Sequence, residues 1–401
     1  MIRIFLFLSA VFGVVLYRFP AKSYSPPPAL SVGCTDLLSQ DRFQTLHYEK
    51  ESPVLYSAAR RTVLESDRLY FVPAEGKGFF EYQKIGKEIA YFVSPDEAYW
   101  RRETGSYPVS DSQGRWLLLQ SGDLTAVRLM DHNGNIAAGE PLSGLLLTDY
   151  VFDENRMAAA EPANSESETA DRSGSDSLSA ALLFASGPVY VIRFEPQFRL
   201  MKLSIPKAKN YFAKSIALSR DRVAIHLQEG NNDFIRIYSL VGEDEAQASS
   251  TESKVWLKEI ESVPLSQLVP HRMPMALTEN GVVFTTESGI GRIIDGELVT
   301  TIVATDGVLA GTPSSMLFLT EPDSTEYKEM LQPRFQGAVL SLQESGLTVA
   351  GSNQVLSVFI DDQLVAASFQ KQQPFRLLPN HQSITIEDKN SYCTIAPSAS
   401  R

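Results

Sequence analysis

Residues 114–139, GRWLLLQSGDLTAVRLMDHNGNIAAG, read as an apolar run, a turn, an alternating run, a second turn and a third run. Trp116 to Gln120 is the first run, and Ser121-Gly122-Asp123 is a turn cluster whose glycine supplies positive φ. From Leu124 to Met130 the chain alternates, with Leu124, Ala126, Arg128 and Met130 on one face and Thr125, Val127 and Leu129 on the other. A helix would need apolar residues at i, i+3 and i+4, and the glycine-bearing turns interrupt any such stripe. Asn133-Gly134 is a strong hairpin signal. The stretch predicts a three-strand antiparallel meander.

The same grammar returns. Residues 217–240, 276–299 and 341–365 overlay one another, with opening turns that end Asp221-Arg222, Asn280-Gly281 and Ser345-Gly346. Residues 178–203 and 68–93 fit more loosely. Some units recur about 60 residues apart and others about 45, the longer spacings holding polar inserts or extra strand-like pieces such as Ser315 to Thr320. A small sheet cannot bury both of its faces alone, so such units pack against their neighbours. In this grammar the chain after about residue 50 resembles the WD40-like and quinoprotein-like β-propeller superfamily. The resemblance implies an all-β fold: a propeller of about seven four-stranded antiparallel blades, with six or eight also fitting the spacing. The Gly-His and Trp-Asp signatures of WD40 blades are missing, and the nearest positions read Leu129-Met130-Asp131 and Ile294-Asp295. The resemblance therefore speaks to fold and not to activity. A two-sheet sandwich also gives short strands and regular turns, but without a repeat of this period.

Composition narrows the partners. The chain has 401 residues, 43% of them hydrophobic, so it has enough apolar material for a large core. A net charge of −12 argues against nucleic acid, which requires a concentrated basic surface. Residues 1–18 run apolar from Ile4 to Tyr17 behind Arg3, short for a bilayer span and suited to a signal peptide or an uncleaved anchor. Residues 19–33, with Pro26-Pro27-Pro28, read as a stiff spacer, and residues 34–401 as the propeller. Inserts at 153–179 and 241–254 are rich in Ser, Glu, Ala and Asp and poor in large apolar residues, which predicts mobile loops. The main domain is expected outside the cytoplasm, periplasmic in a bacterium and membrane-held if the leader is uncleaved.

Catalytic signatures are missing from the sequence: it has no Gly-x-Ser-x-Gly, His-Glu-x-x-His, Walker loop, Gly-x-Gly-x-x-Gly or Cys-x-x-Cys. His47, His132, His226, His271 and His381 stand singly. Asp131 to Asn135 is oxygen-rich but lacks the later bidentate glutamate of a calcium loop. Gly289 and Gly291 suit a hairpin, and Asp361-Asp362 and Glu243-Asp244-Glu245 suit solvated turns. No catalytic residue, cofactor or metal is expected. Cys34 and Cys393 are the two cysteines, one near each end of the predicted ring; a closed propeller brings its ends together, so the pair is expected as a disulfide. The competing reading leaves both thiols unpaired at frayed ends, with Cys34 lipidated after Leu30-Ser31-Val32-Gly33 or disordered. The functional expectation is a non-catalytic platform for protein partners in the cell envelope. A propeller hydrolase or lyase acting on an envelope polymer or peptide is the alternative, and buried ionisable groups converging from several blades would favour it.

Overall fold

The computed structural model describes residues 30–36, 44–153, 178–242, 255–303 and 338–397, less short pieces between strands. Among the described residues there is no α-helix, and the strands form eight antiparallel sheets, seven of four strands and one of three. In chain order, blade 1 spans residues 44–63 and has the three strands; blades 2 and 3 span 69–103 and 106–143. Blades 4 to 7 span 147–204, 211–264, 275–303 and 338–369. Blade 8 takes its strands from 376–397 and its fourth from the start of the chain, Leu30–Asp36. The ring therefore holds eight sheets. The six repeats legible in the sequence are blades 2 to 7, and the remaining two are the three-stranded blade and the one built from both ends.

Successive blades share their cores. Leu118, Val127 and Leu129 pack with Leu182, Phe184 and Ile192 between blades 3 and 4, while Leu117, Leu119 and Met130 pack with Phe80, Tyr82 and Ile89 between blades 2 and 3. The pleat sends alternate side chains of one strand to opposite neighbours, so a strand within the ring can be apolar at successive positions. That is why Leu117-Leu118-Leu119 reads as a continuous run. Between blades 4 and 5 the core includes Leu183, Val191, Ile216, Leu218, Ile225 and Tyr238.

The opening stretch forms the second and third strands of blade 3, Trp116–Ser121 and Ala126–Asp131. They follow Ser106–Ser110 and precede the short Leu142–Ser143. Two details differ from the sequence reading. Leu124 is not in the strand: with φ of +58° it turns the chain, held by the Asp123 carboxylate, which accepts from Ser121 Oγ at 2.6 Å and Thr125 N at 3.2 Å. The expected third strand at 135–139 is reduced to one bridge, Ile136 to Met130, because the Asp131 carboxylate wraps the chain into a wide turn.

Leu30–Asp36 pairs with Ser391–Pro397 in a register that sets Cys34 opposite Cys393, and their sulfurs are bonded, closing a sequence separation of 359. The strand begins at Leu30, within the stretch read as spacer. Residues 1–29, most of both inserts (154–177 and 243–254) and the piece at 315–320 lie outside the described residues. No helix among the described residues is long and apolar enough to cross a membrane.

Candidate functional site

Two sets of charged side chains stand out, and they behave oppositely. The first is buried across blades 4 to 6. Lys214 Nζ sits 3.0 and 3.1 Å from the two oxygens of Asp233 and donates to Val269 O at 2.6 Å. Asp233 also accepts from Val269 N at 2.6 Å, and His226 Nε2 lies 3.2 Å from it. One strand along, Asp149 accepts from Ile216 N and Tyr150 N at 2.8 Å each and pairs with Arg272, whose guanidinium covers the Tyr150 ring. Asp153 accepts from Arg220 N at 2.8 Å, and Ser215 Oγ from Met273 N at 2.6 Å. These groups pin the crossing from blade 5 to blade 6, around Val269 to Met273, onto the first strands of blades 4 and 5.

Burial works to push the Asp233 carboxyl up, but hydrogen bonds from His226, Val269 N and Lys214 outweigh it and hold the group at about 2. For Asp149 burial wins over Arg272 and the amides, and its carboxyl is raised. Burial also wins at His226: its imidazole is pushed below the ordinary value of 6.5 despite Asp233, with Lys214 adding to the effect. His226 is fully buried, and its Nδ1 has no hydrogen-bond partner among the described residues. Most of the cluster's hydrogen-bonding capacity is spent on backbone or on a neighbouring charge. That is the condition under which buried charge is tolerated.

The second set lines an open cleft of about 620 Å³ between blades 2 and 3. Arg102 lies on the last strand of blade 2, Glu97–Glu103, opposite Ile89 and two residues from Trp100. Ile89 and Trp100 belong to the shared core, so Arg102 faces blade 3. Arg128 shares a face with Met130, which packs into that core, so the pleat aims Arg128 at blade 2. Ser106, Ser121 and Ala126 line the same cleft. These small side chains fill little space, and the interface stays open. Arg101 is committed elsewhere, donating to Glu88 at 2.8 Å and standing over Phe92. Among the described residues neither Arg102 nor Arg128 is in an ion pair. Gly134, with φ of +82°, lets the neighbouring turn approach: a Cβ there would meet Arg102 Nε at 2.9 Å, and Trp100 Nε1 donates to His132 O at 2.7 Å.

The residues singled out in the sequence are dispersed. His132 is exposed in its turn, and His226 is in the buried cluster. The side chains of His47, His271 and His381 and the run Glu243 to Glu245 lie outside the described residues. The Asp131 carboxylate is occupied by the amides of Asn133 and Asn135 at 2.9 and 2.8 Å. Gly291 is required because a Cβ there would enter the Phe284 ring. Asp361 and Asp362 form a turn with φ of +47° and +60°, and Asp362 accepts from Asn280 Nδ2 at 3.1 Å across blades 6 and 7. No group of three metal-ligating side chains occurs among the described residues. Sequence reasoning overlooked Lys214, Asp233, Arg102 and Arg128. The alternation around Arg128 was visible, but its partner across the blade boundary was not.

No protein-family model and no curated protein matches the chain. Among solved structures it is similar to the β-propeller domain of Nup133 from Vanderwaltozyma polyspora, at 8% identity and TM-score 0.45, over 93% of this chain and 99% of that one. The WD40 domain of SCAP from fission yeast is 10% identical with TM-score 0.43, over 94% and 99% of the two chains. The dihydro-heme d1 dehydrogenase NirN is 11% identical with TM-score 0.45, over 95% of this chain and 79% of that one. Likenesses of this degree say nothing about activity.

Proposed function

We propose that this chain is a non-catalytic, exported propeller that serves as a platform for another protein of the cell envelope, attached to the membrane by its N-terminal segment if that segment is retained. One observation carries the reading. The buried ionisable groups are spent on holding the backbone, whereas the uncommitted charges line an open cleft between two blades. A rigid ring presenting a cleft is suited to holding a partner. The Cys34–Cys393 bond supports an oxidising compartment outside the cytoplasm, where such a bond persists.

Capture of the full, oxidised chain from envelope extracts tests the reading. A stoichiometric protein partner is expected, and retention of that partner by an Asp233→Asn variant is expected with it. Recovery of the chain alone would overturn the platform. A second reading, a hydrolase or lyase acting on an envelope polymer or peptide, is favoured by the Lys214–Asp233–His226 set with its unpartnered Nδ1. Turnover of such a polymer that is abolished by Asp233→Asn, in a variant that still folds, would establish it.

A further inference from the structure

We propose that the cleft between blades 2 and 3 is the docking site for an acidic, leucine-bearing segment of a partner polypeptide, an inference that rests on the platform reading. Its starting point is an electrostatic anomaly. The chain carries 48 acidic residues against 36 basic ones, yet Arg102 and Arg128 face each other's blades with no carboxylate paired to either among the described residues. The carboxylate in the lining, Glu103, forms an ion pair with neither. Two like charges on facing walls repel and gain nothing for the fold. An incoming carboxylate relieves both costs, and the guanidinium fork is shaped for it, donating two parallel N–H···O bonds.

The surroundings specify more than charge. Ile136, 49% exposed, lines the cleft beside the arginines and offers an aliphatic side chain a surface to settle on, while Leu119 and Met130, each 1% exposed, form the buried floor. The turn joining Ser121 to Ala126, both in the lining, exposes Leu124 at 38%. Backbone bonds from Gly144 N to Thr125 O at 3.1 Å and from Leu147 N to Leu124 O at 2.6 Å tie a second turn to it, and there Leu145 is 69% exposed. These adjoining turns thus present two exposed leucines, Leu124 and Leu145, outside the lining itself. Its volume of about 620 Å³ falls in the range of sites that enclose a ligand of a few residues. An extended polypeptide enters such a space between two sheets. A flat bilayer reaches protruding groups and not facing walls, so an anionic lipid surface fits less well.

Fluorescence anisotropy with the full, oxidised chain and a labelled short peptide alternating glutamate with leucine tests the site. Saturable binding is expected, weakened on the order of tenfold by Arg102→Ala or Arg128→Ala, as for loss of one charge-assisted contact. It should weaken with added salt, and the glutamine–leucine peptide should not bind. Arg199→Ala, on the exposed outer strand of blade 4, should leave the affinity unchanged. Equal binding by the arginine variants, or equal binding of the glutamine peptide, would overturn the proposal. So would peptide failure together with arginine-dependent binding to vesicles containing phosphatidylserine. If the captured envelope partner is held equally by Arg128→Ala, the cleft assignment fails while the platform reading stands; if no partner exists, the platform fails first.

Discussion

The interface between blades 4 and 5 is sealed, and the one between blades 2 and 3 is open at one end. Both are made by the same pleat. In the sealed interface Leu183, Val191, Leu203, Ile216 and Leu218 interdigitate, and Asp149 and Asp153 reach across to the amides of Ile216 and Arg220. In the open one Ser106, Ser121 and Ala126 stand where bulk is needed, and among the described residues Arg102 and Arg128 have no ion-pair partner, although Arg101 beside them is paired with Glu88. A carboxylate four residues from another on one strand can stitch two blades together; an arginine aimed at an interblade gap keeps it wet. Charge at a blade boundary therefore serves structure where it is matched, and where it is not it contributes nothing to holding the blades together.

The closure that holds both interfaces carries the largest expected effect. Replacing Cys34 by Ser should cost up to about 5 kcal/mol, measured as the urea-unfolding free energy, because so long a loop is no longer restricted in the unfolded chain. Amide exchange should then rise in blade 8 and around the open cleft before it rises between blades 4 and 5. A uniform rise would erase the contrast.

Asp233→Ala comes next, at about 3–5 kcal/mol, because Lys214 is left buried without its partner. The double variant Lys214→Met with Asp233→Ala should recover much of the loss. Leu183→Ala, in the sealed core, should cost about 2–5 kcal/mol.

Acid should weaken the sealed side selectively. An unfolded chain protonates its histidine near 6.5, while buried His226 resists the proton, so stability falls as pH drops below 6.5, by at most about 1.4 kcal/mol per pH unit for that one proton. Asp233 contributes fully above 3.8 and loses that contribution as pH falls towards about 2; Asp149, raised by burial, works in the opposite direction. His226→Asn should flatten the fall of the urea midpoint as pH drops below 6.5. The smallest stability effect belongs to the open side: Arg128→Ala should change unfolding by no more than about 0.5 kcal/mol, which differential scanning calorimetry can check.

The two sides also differ in how much of them was legible beforehand. Val127 declared its face by alternation, and Asp361-Asp362 declared its turn, because strand pleat and turn chemistry are local properties. Leu124 misled because the carboxylate of the residue before it can outbid alternation. Lys214 and Asp233 gave no signal, since nothing local announces that both are buried.

By itself, then, the sequence pointed to repeated small sheets and to the strands of blades 2 to 7, through alternation, turn residues and a recurrence of about 45–60 residues, and it put one cysteine near each end; the all-β ring came from the resemblance that this recurrence carries. Tertiary structure alone decided that the described strands form eight sheets, that Leu30–Asp36 completes the last of them, and that Lys214, Asp233 and His226 meet in a sealed cluster. It also decided that Arg102 and Arg128 face one cleft. The reason is that a blade's neighbour supplies half of every interface, and which residues that neighbour presents depends on how the ring closes rather than on any pattern within one strand.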